Sequence, residues 1–129
     1  METFSLKIND YVENSLKDVT ELHKAIILEL FSSVILDTPV LEGRLRGNWI
    51  ISSDNPASGT FDITDKDGGT TTRKVEDHIS KLPDSLDFKV YLTNNLPYAY
   101  RIEYDGYSGK APEGMVRKNF ARIIQNLKS

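Results

Sequence analysis

In the first third of the chain the hydrophobic positions fall at steps of three and four. Val12, Leu16, Val19, His23, Ile26, Ile27, Leu30 and Val34 trace one stripe, which predicts an amphipathic α-helix over 10–36. Asn9 or Asp10 can cap its start, and Glu13 suits the positive end of the first turn. At 1.5 Å per residue such a helix runs roughly 40 Å, more than one small domain readily wraps. Residues 25–36 are apolar on more than one face, through Ile26, Ile27, Leu28, Leu30, Phe31, Val34, Ile35 and Leu36. Two readings stand for them: contact with another subunit, or burial in the chain's own core by a sheet and a second helix. His23 lies on the stripe, where a lone histidine reads as a satisfied structural residue.

The helix must stop at Thr38-Pro39, because proline lacks a backbone donor and disfavours helical dihedrals in the residue before it. From there to Trp49 runs a joint with Gly43 and Gly47 as turn points and with Arg44 and Arg46 bracketing Leu45. If this segment is extended, the two arginines share one face and Leu45 takes the other. They are then either solvated residues of a connector or contacts to a partner.

Beyond the joint the period changes to two. Residues 48–53 predict a strand with Trp49 and Ile51 on one face. Residues 54–59 carry turn chemistry, and Phe61 and Ile63 alternate like a short strand. Asp67-Gly68-Gly69 offers a turn, after which 70–72 reads as a returning strand. Val75, Ile79 and Leu82 are spaced for a short helix ending at Pro83. Phe88, Val90 and Leu92 form the inner face of a strand over 87–93. Residues 94–97 break it, 98–104 form a helical turn or another strand, and 105–114 are loop. A final helix starts near Met115, with Val116, Phe120, Ile123 or Ile124, and Leu127 on one face. The expected core joins Trp49, Phe88 and Val90 to Leu16, Val19 and Ile26, the strongest stripes of strand and helix. The stretch 54–85, with few apolar anchors in its first half, is expected to be a flexible insertion in a single domain over 1–129.

Composition narrows the function more than the fold. A chain of 129 residues with 39% hydrophobic and 27% charged positions suits one soluble globular domain. The formal net charge of -3 gives no global attraction to nucleic acid. Without cysteine there are no disulfides, thiolate metal sites or thiol nucleophiles. No apolar run approaches a membrane span, and the N-terminus lacks the layout of a signal peptide.

Candidate chemistry is thin. Asp62-Ile-Thr-Asp-Lys-Asp-Gly-Gly has the look of a calcium loop, but aligning Asp65, Asp67 and Gly68 puts Ile63 and Lys74 at the first and twelfth ligand positions. No metal or other cofactor is expected. No phosphate-cradling glycine motif is present, and His23 and His78 fall in separate elements with no Ser-His-Asp signature. Arg117, Lys118, Arg122 and Lys128 make the last helix basic, which reads either as a solvated face or as a surface for an acidic partner or DNA.

Two motifs carry a family resemblance. Thr38-Pro-Val-Leu-Glu-Gly-Arg-Leu-Arg-Gly-Asn-Trp49 resembles the signature of the tail-completion proteins of long-tailed bacteriophages and prophages. Asn94-Asn-Leu-Pro-Tyr-Ala, then Glu103-Tyr-Asp-Gly, then Ala111-Pro-Glu-Gly-Met-Val-Arg117 is similar to a second run of that family, in the same order. Leu41 and Glu42 depart from the usual Asp-Thr, and Asp105 lengthens the turn before Gly106. The resemblance implies an α+β fold: a small, mostly antiparallel sheet packed against the long N-terminal helix and the C-terminal helix. It also implies a structural, non-catalytic virion protein of the neck or tail end. Such a protein forms a ring, six-membered by resemblance, that completes the tail or joins it to the head. Its partners would be its own copies and tail-tube or head-connector proteins, with DNA passing through the ring and no membrane. It would work in the virion, and in the host cytoplasm during assembly. Arg44 and Arg46 become candidate contacts, with acceptors around Glu103 and Asp105 on the same or a neighbouring subunit, and Arg117 belongs to the same candidate surface. The alternative is a nucleic-acid-binding module using the basic C-terminal helix with Tyr98, Tyr100 and Tyr104 as stacking surfaces.

Overall fold

The computed structural model describes residues 4–40, 43–85, 87–104 and 114–128, with side chains described from 17 to 127 within these. The order of elements is α1 (Phe4–Asp37), α2 (Arg44–Gly47), β1 (Trp49–Ser53), α3 (Gly69–Ser80), β2 (Val90–Asn94), α4 (Ala99–Tyr104) and α5 (Val116–Lys128). The fold is α+β: a small antiparallel sheet with helices packed around it, dominated by the long N-terminal helix. β1 and β2 pair in antiparallel register, with Trp49 opposite Asn94 and Ser53 opposite Val90. Among the described residues no helix is long and apolar enough to cross a membrane.

α1 spans 34 residues, about 50 Å, and stops where Pro39 requires it. Its C-terminal half carries the core. Val34 and Ile35 are fully buried, while Ile27, Leu28, Leu30 and Phe31 pack half-buried against the same cluster. α3 and α5 cover this half, and α5 runs antiparallel to it: Asn119 meets Asp37 near one end, and Arg122 meets Ser33 and Glu29 further along. Of the two readings for 25–36, cover by the chain's own elements accounts for most of the apolar surface.

The core therefore sits further along α1 than the stripes suggest. Trp49 is buried as expected, but its neighbours in the cluster include Val34, Ile35, Leu45, Val75, Ile79, Leu96, Ile102 and Met115. Val19 is 48% exposed, Ile26 and Phe88 are only half-buried, and the Leu16 side chain lies outside the described residues. Chain reach explains the shift, because Trp49 follows the end of α1 by only a short connector and must pack near that end. Phe88 stacks on His23 at 5.2 Å between ring centroids. His23 is not the satisfied residue expected, since its Nδ1 is buried with no hydrogen-bond partner among the described residues.

Within the stretch 54–85, Val75, Ile79 and Leu82 are buried in the core cluster. Residues 70–72 open α3 instead of forming a strand. The Asp65 carboxylate accepts both the amide and the hydroxyl of Thr71, at 2.8 and 2.6 Å, and Asp67 accepts the amide of Gly69. Those bonds satisfy orphan donors at the helix start and outweigh the strand preference of three threonines. The acids that resemble a calcium loop are thus used as helix caps. Among the described residues Phe61 and Ile63 pair with no strand; the segment is held by Asn48, whose side chain donates to the Phe61 carbonyl and accepts from its amide.

Candidate subunit contact surface

The joint after α1 folds as a short helical turn, not an extended segment, so Arg44 and Arg46 do not share a face. Gly43 begins the turn at φ +85°, where its carbonyl accepts the amides of Gly47 and Asp65. A Cβ there would lie 2.7 Å from the Lys66 nitrogen, so only glycine fits. Arg46 turns inward onto the end of α1. One terminal nitrogen donates to the carbonyls of Leu36 and Thr38 at 2.7 and 2.9 Å, and the other to the Lys66 carbonyl at 2.6 Å. A guanidinium suits this place because the last carbonyls of a helix lack intrahelical donors and carry partial negative charge. Arg44 remains exposed, and its side chain has no polar partner among the described residues.

Glu103 closes α4 and is 6% exposed. Its carboxylate accepts the amides of Met115, Val116 and Arg117 at 2.6, 2.9 and 2.9 Å, and the Arg117 Nε at 3.1 Å. The Arg117 guanidinium also donates to the Glu103 carbonyl. Burial works against this carboxylate, but those donors outweigh it and hold the pKa below the ordinary 4.5. Asp65 behaves alike: burial raises its pKa, and the Thr71 hydroxyl with the Thr71 and Thr70 amides brings it below 3.8. Gly114 lets the backbone pass Glu103, with φ +83° and a would-be Cβ 2.6 Å from the Glu103 carbonyl oxygen.

Glu103 is therefore not the acceptor for Arg44 or Arg46 within the chain. It already receives four donors, which fills what a carboxylate can accept. Its partner is Arg117, so the structure brings together two of the five candidate residues. Arg46 serves a different cluster, and Asp105 lies outside the described residues. Nothing local in the sequence pairs Glu103 with the start of α5, although an acid followed by a Gly-Met-Val-Arg helix start is compatible with it.

The outer face of α5 is open. Asn119 and Ile123 are buried toward the core, and Asn119 donates to Asp37 and to the Met115 carbonyl. The rest of the apolar stripe faces solvent, with Val116 40%, Phe120 55% and Leu127 56% exposed. The Tyr100 and Tyr104 rings of α4 lie against each other, tilted at 43° with centroids 4.7 Å apart, both more than half exposed, and Arg117 lies over the Tyr104 ring. The apolar stripe of α5 is thus wider than its contact with the core.

A second feature escaped the sequence. Ser53 Oγ and His78 Nε2 share a hydrogen bond of 2.8 Å at a cleft of about 520 Å³ lined by Trp49, Ile51, Phe61, Val75 and Leu82. No carboxylate orients this imidazole among the described hydrogen bonds, and the neighbouring Asp77 pairs with Lys81 instead. Among the described residues the pair is thus without the third member that activates a serine nucleophile. No family model matches the chain, and no curated protein or solved structure matches it.

Proposed function

We propose that this chain is a structural, non-catalytic virion protein of the neck or tail end of a tailed bacteriophage. In this reading its subunits assemble into a ring that completes the tail or joins it to the head. The observation that carries the proposal is the open apolar stripe of α5, Val116, Phe120 and Leu127, together with Tyr100 and Tyr104 exposed on α4. A chain with this much exposed apolar surface on one helix is suited to bury it against a protein partner. The order of the two sequence motifs points to which assembly that is. The polar motif residues support a scaffold role, since Arg46, Asn48, Asn94 and Glu103 all bind backbone groups of their own chain.

The nucleic-acid alternative draws on Tyr100 and Tyr104 as stacking surfaces, but the basic side chains beside them are already engaged. Arg117 pairs with Glu103, Lys118 with Asp37 and Arg122 with Glu29. A phosphate would compete with each of these acids. Electron microscopy of tails lacking this protein, with and without the purified chain, tests the proposal. The expected result is a ring at the tail end and restored head joining. Unchanged bare tails, or a salt-sensitive DNA shift at micromolar protein, would overturn it.

A further inference from the structure

We infer that the free edge of β1 receives a third strand: an extended segment of a partner protein, with apolar residues at every second position, lying in the cleft between β1 and α3. This goes beyond the assembly reading above and makes no use of the α5 face. Among the described residues β1 has β2 as its one neighbour in the sheet. The Asp54 amide donates to the Lys89 carbonyl at 2.9 Å, and antiparallel pairs alternate between bonded and unbonded. In this register the bonded pairs are therefore Ser52 with Tyr91 and Ile50 with Thr93. The backbone groups of Trp49, Ile51 and Ser53 point the other way, off the edge of the sheet. The Ser53 carbonyl accepts the Asn55 amide, but the N–H and C=O of Trp49 and Ile51 have no partner among the described residues. The cleft of about 520 Å³ borders this same strand, with Phe61, Val75 and Leu82 as apolar walls.

Hydrogen-bonding chemistry selects the occupant. Donors and acceptors repeating every second residue along an edge match an extended backbone, which carries its own at the same repeat. One residue before the strand the chain already holds backbone beside the cleft. The Asn48 side chain donates to the Phe61 carbonyl at 3.0 Å and accepts from the Phe61 amide at 2.7 Å. Trp49 and Ile51 share one face of β1 and pack on the core. Every second side chain of an added strand falls on that same face, against the apolar walls, so the occupant must alternate. At the Ser53 end the cleft turns polar, where Ser53 Oγ and His78 Nε2 share their bond of 2.8 Å. Charge has a minor part, because Lys81 is paired with Asp77 at 2.9 Å. Lys74, over the Phe61 ring at 5.8 Å, enters no ion pair among the described residues and suits an acidic side chain on the occupant.

The test uses the full chain to select binders from a displayed library of short random peptides. The best binder is then synthesised with N-methyl groups on alternate residues, in both phases. The selected sequences are expected to alternate apolar with polar residues, and the Trp49 and Ile51 amides to gain exchange protection on binding. One N-methyl phase faces the β1 edge and is expected to weaken binding about tenfold or more, while the other leaves it nearly unchanged. Phe61→Ala, at a wall position that is 45% exposed, is expected to keep wild-type circular dichroism and to weaken binding about fivefold. A library that yields no binder, protection confined to Val90 and Leu92 on the opposite edge, or equal loss from both methylated phases would overturn the proposal. So would occupation of the edge by a second copy, seen as protection of Trp49 and Ile51 that rises with concentration of the chain alone. None of these outcomes touches the α5 face, so the ring reading stands or falls separately.

Discussion

Trp49 Nε1 donates a hydrogen bond to Thr38 Oγ1 at 2.8 Å, and the same hydroxyl donates to the Val34 carbonyl at 2.6 Å. One threonine just past the end of α1 thus ties the first strand to the last turn of the helix, inside the core. Trp49→Ala is expected to cost about 3–5 kcal/mol through the cavity it leaves. Thr38→Val keeps the shape but leaves the indole N–H buried without a partner, at about 1–3 kcal/mol. Denaturant melts of both variants check this, and a Thr38→Val loss below about 0.5 kcal/mol, the size of a surface change, would mean that the bond contributes nothing.

The two joint arginines are expected to separate cleanly. Arg46→Ala strips the charged donor from the carbonyls of Leu36, Thr38 and Lys66, a loss of about 1.5–3 kcal/mol for bonds of this kind. Arg44→Ala removes an exposed side chain and is expected to stay within about 0.5 kcal/mol of wild type. Equal melting temperatures for the two variants would contradict the pin assigned to Arg46.

Acid should destabilise the fold through Glu103 and Asp65. Both carboxylates have lower pKa values folded than their ordinary 4.5 and 3.8, so near and below those values the unfolded chain binds more protons. Stability therefore rises with pH through that window, is fully present above it, and is lost as pH falls through the folded values. Urea melts between pH 7 and pH 3 are expected to show this fall. Glu103→Gln should be less stable at pH 7 and show a shallower slope in acid; an unchanged slope would remove Glu103 from the account.

Glycine substitutions isolate the crossing beside Glu103. Gly59 and Gly114 both have positive φ, +88° and +83°, so alanine strains the backbone at either position by about 1–2 kcal/mol. Only at Gly114 does the new Cβ also meet backbone, 2.6 Å from the Glu103 carbonyl oxygen, while around Gly59 there is open space. Gly114→Ala is therefore expected to be the more damaging and to lower the helix signal of α5 in circular dichroism. Equal losses at the two positions would show that the close approach has no energetic consequence.

What the sequence determined by itself is whatever local periodicity and chain breakers encode. The stripe through Ile26, Leu30 and Val34 with the stop at Pro39 determined α1. The alternation around Trp49 and Val90 located both strands to within a few residues, and Val116, Phe120 and Leu127 marked α5 together with the width of its apolar face. Tertiary structure decided the pairings between distant positions, which no local pattern records. It turned Thr70 to Thr72 into helix through Asp65, and folded Arg46 back onto the carbonyls closing α1. It also set Glu103 against the start of α5, twelve residues on at Met115. Which half of α1 is core was likewise a matter of packing: an amphipathic stripe shows that a helix has a buried side, while only the partners that reach it decide how much of its length is covered.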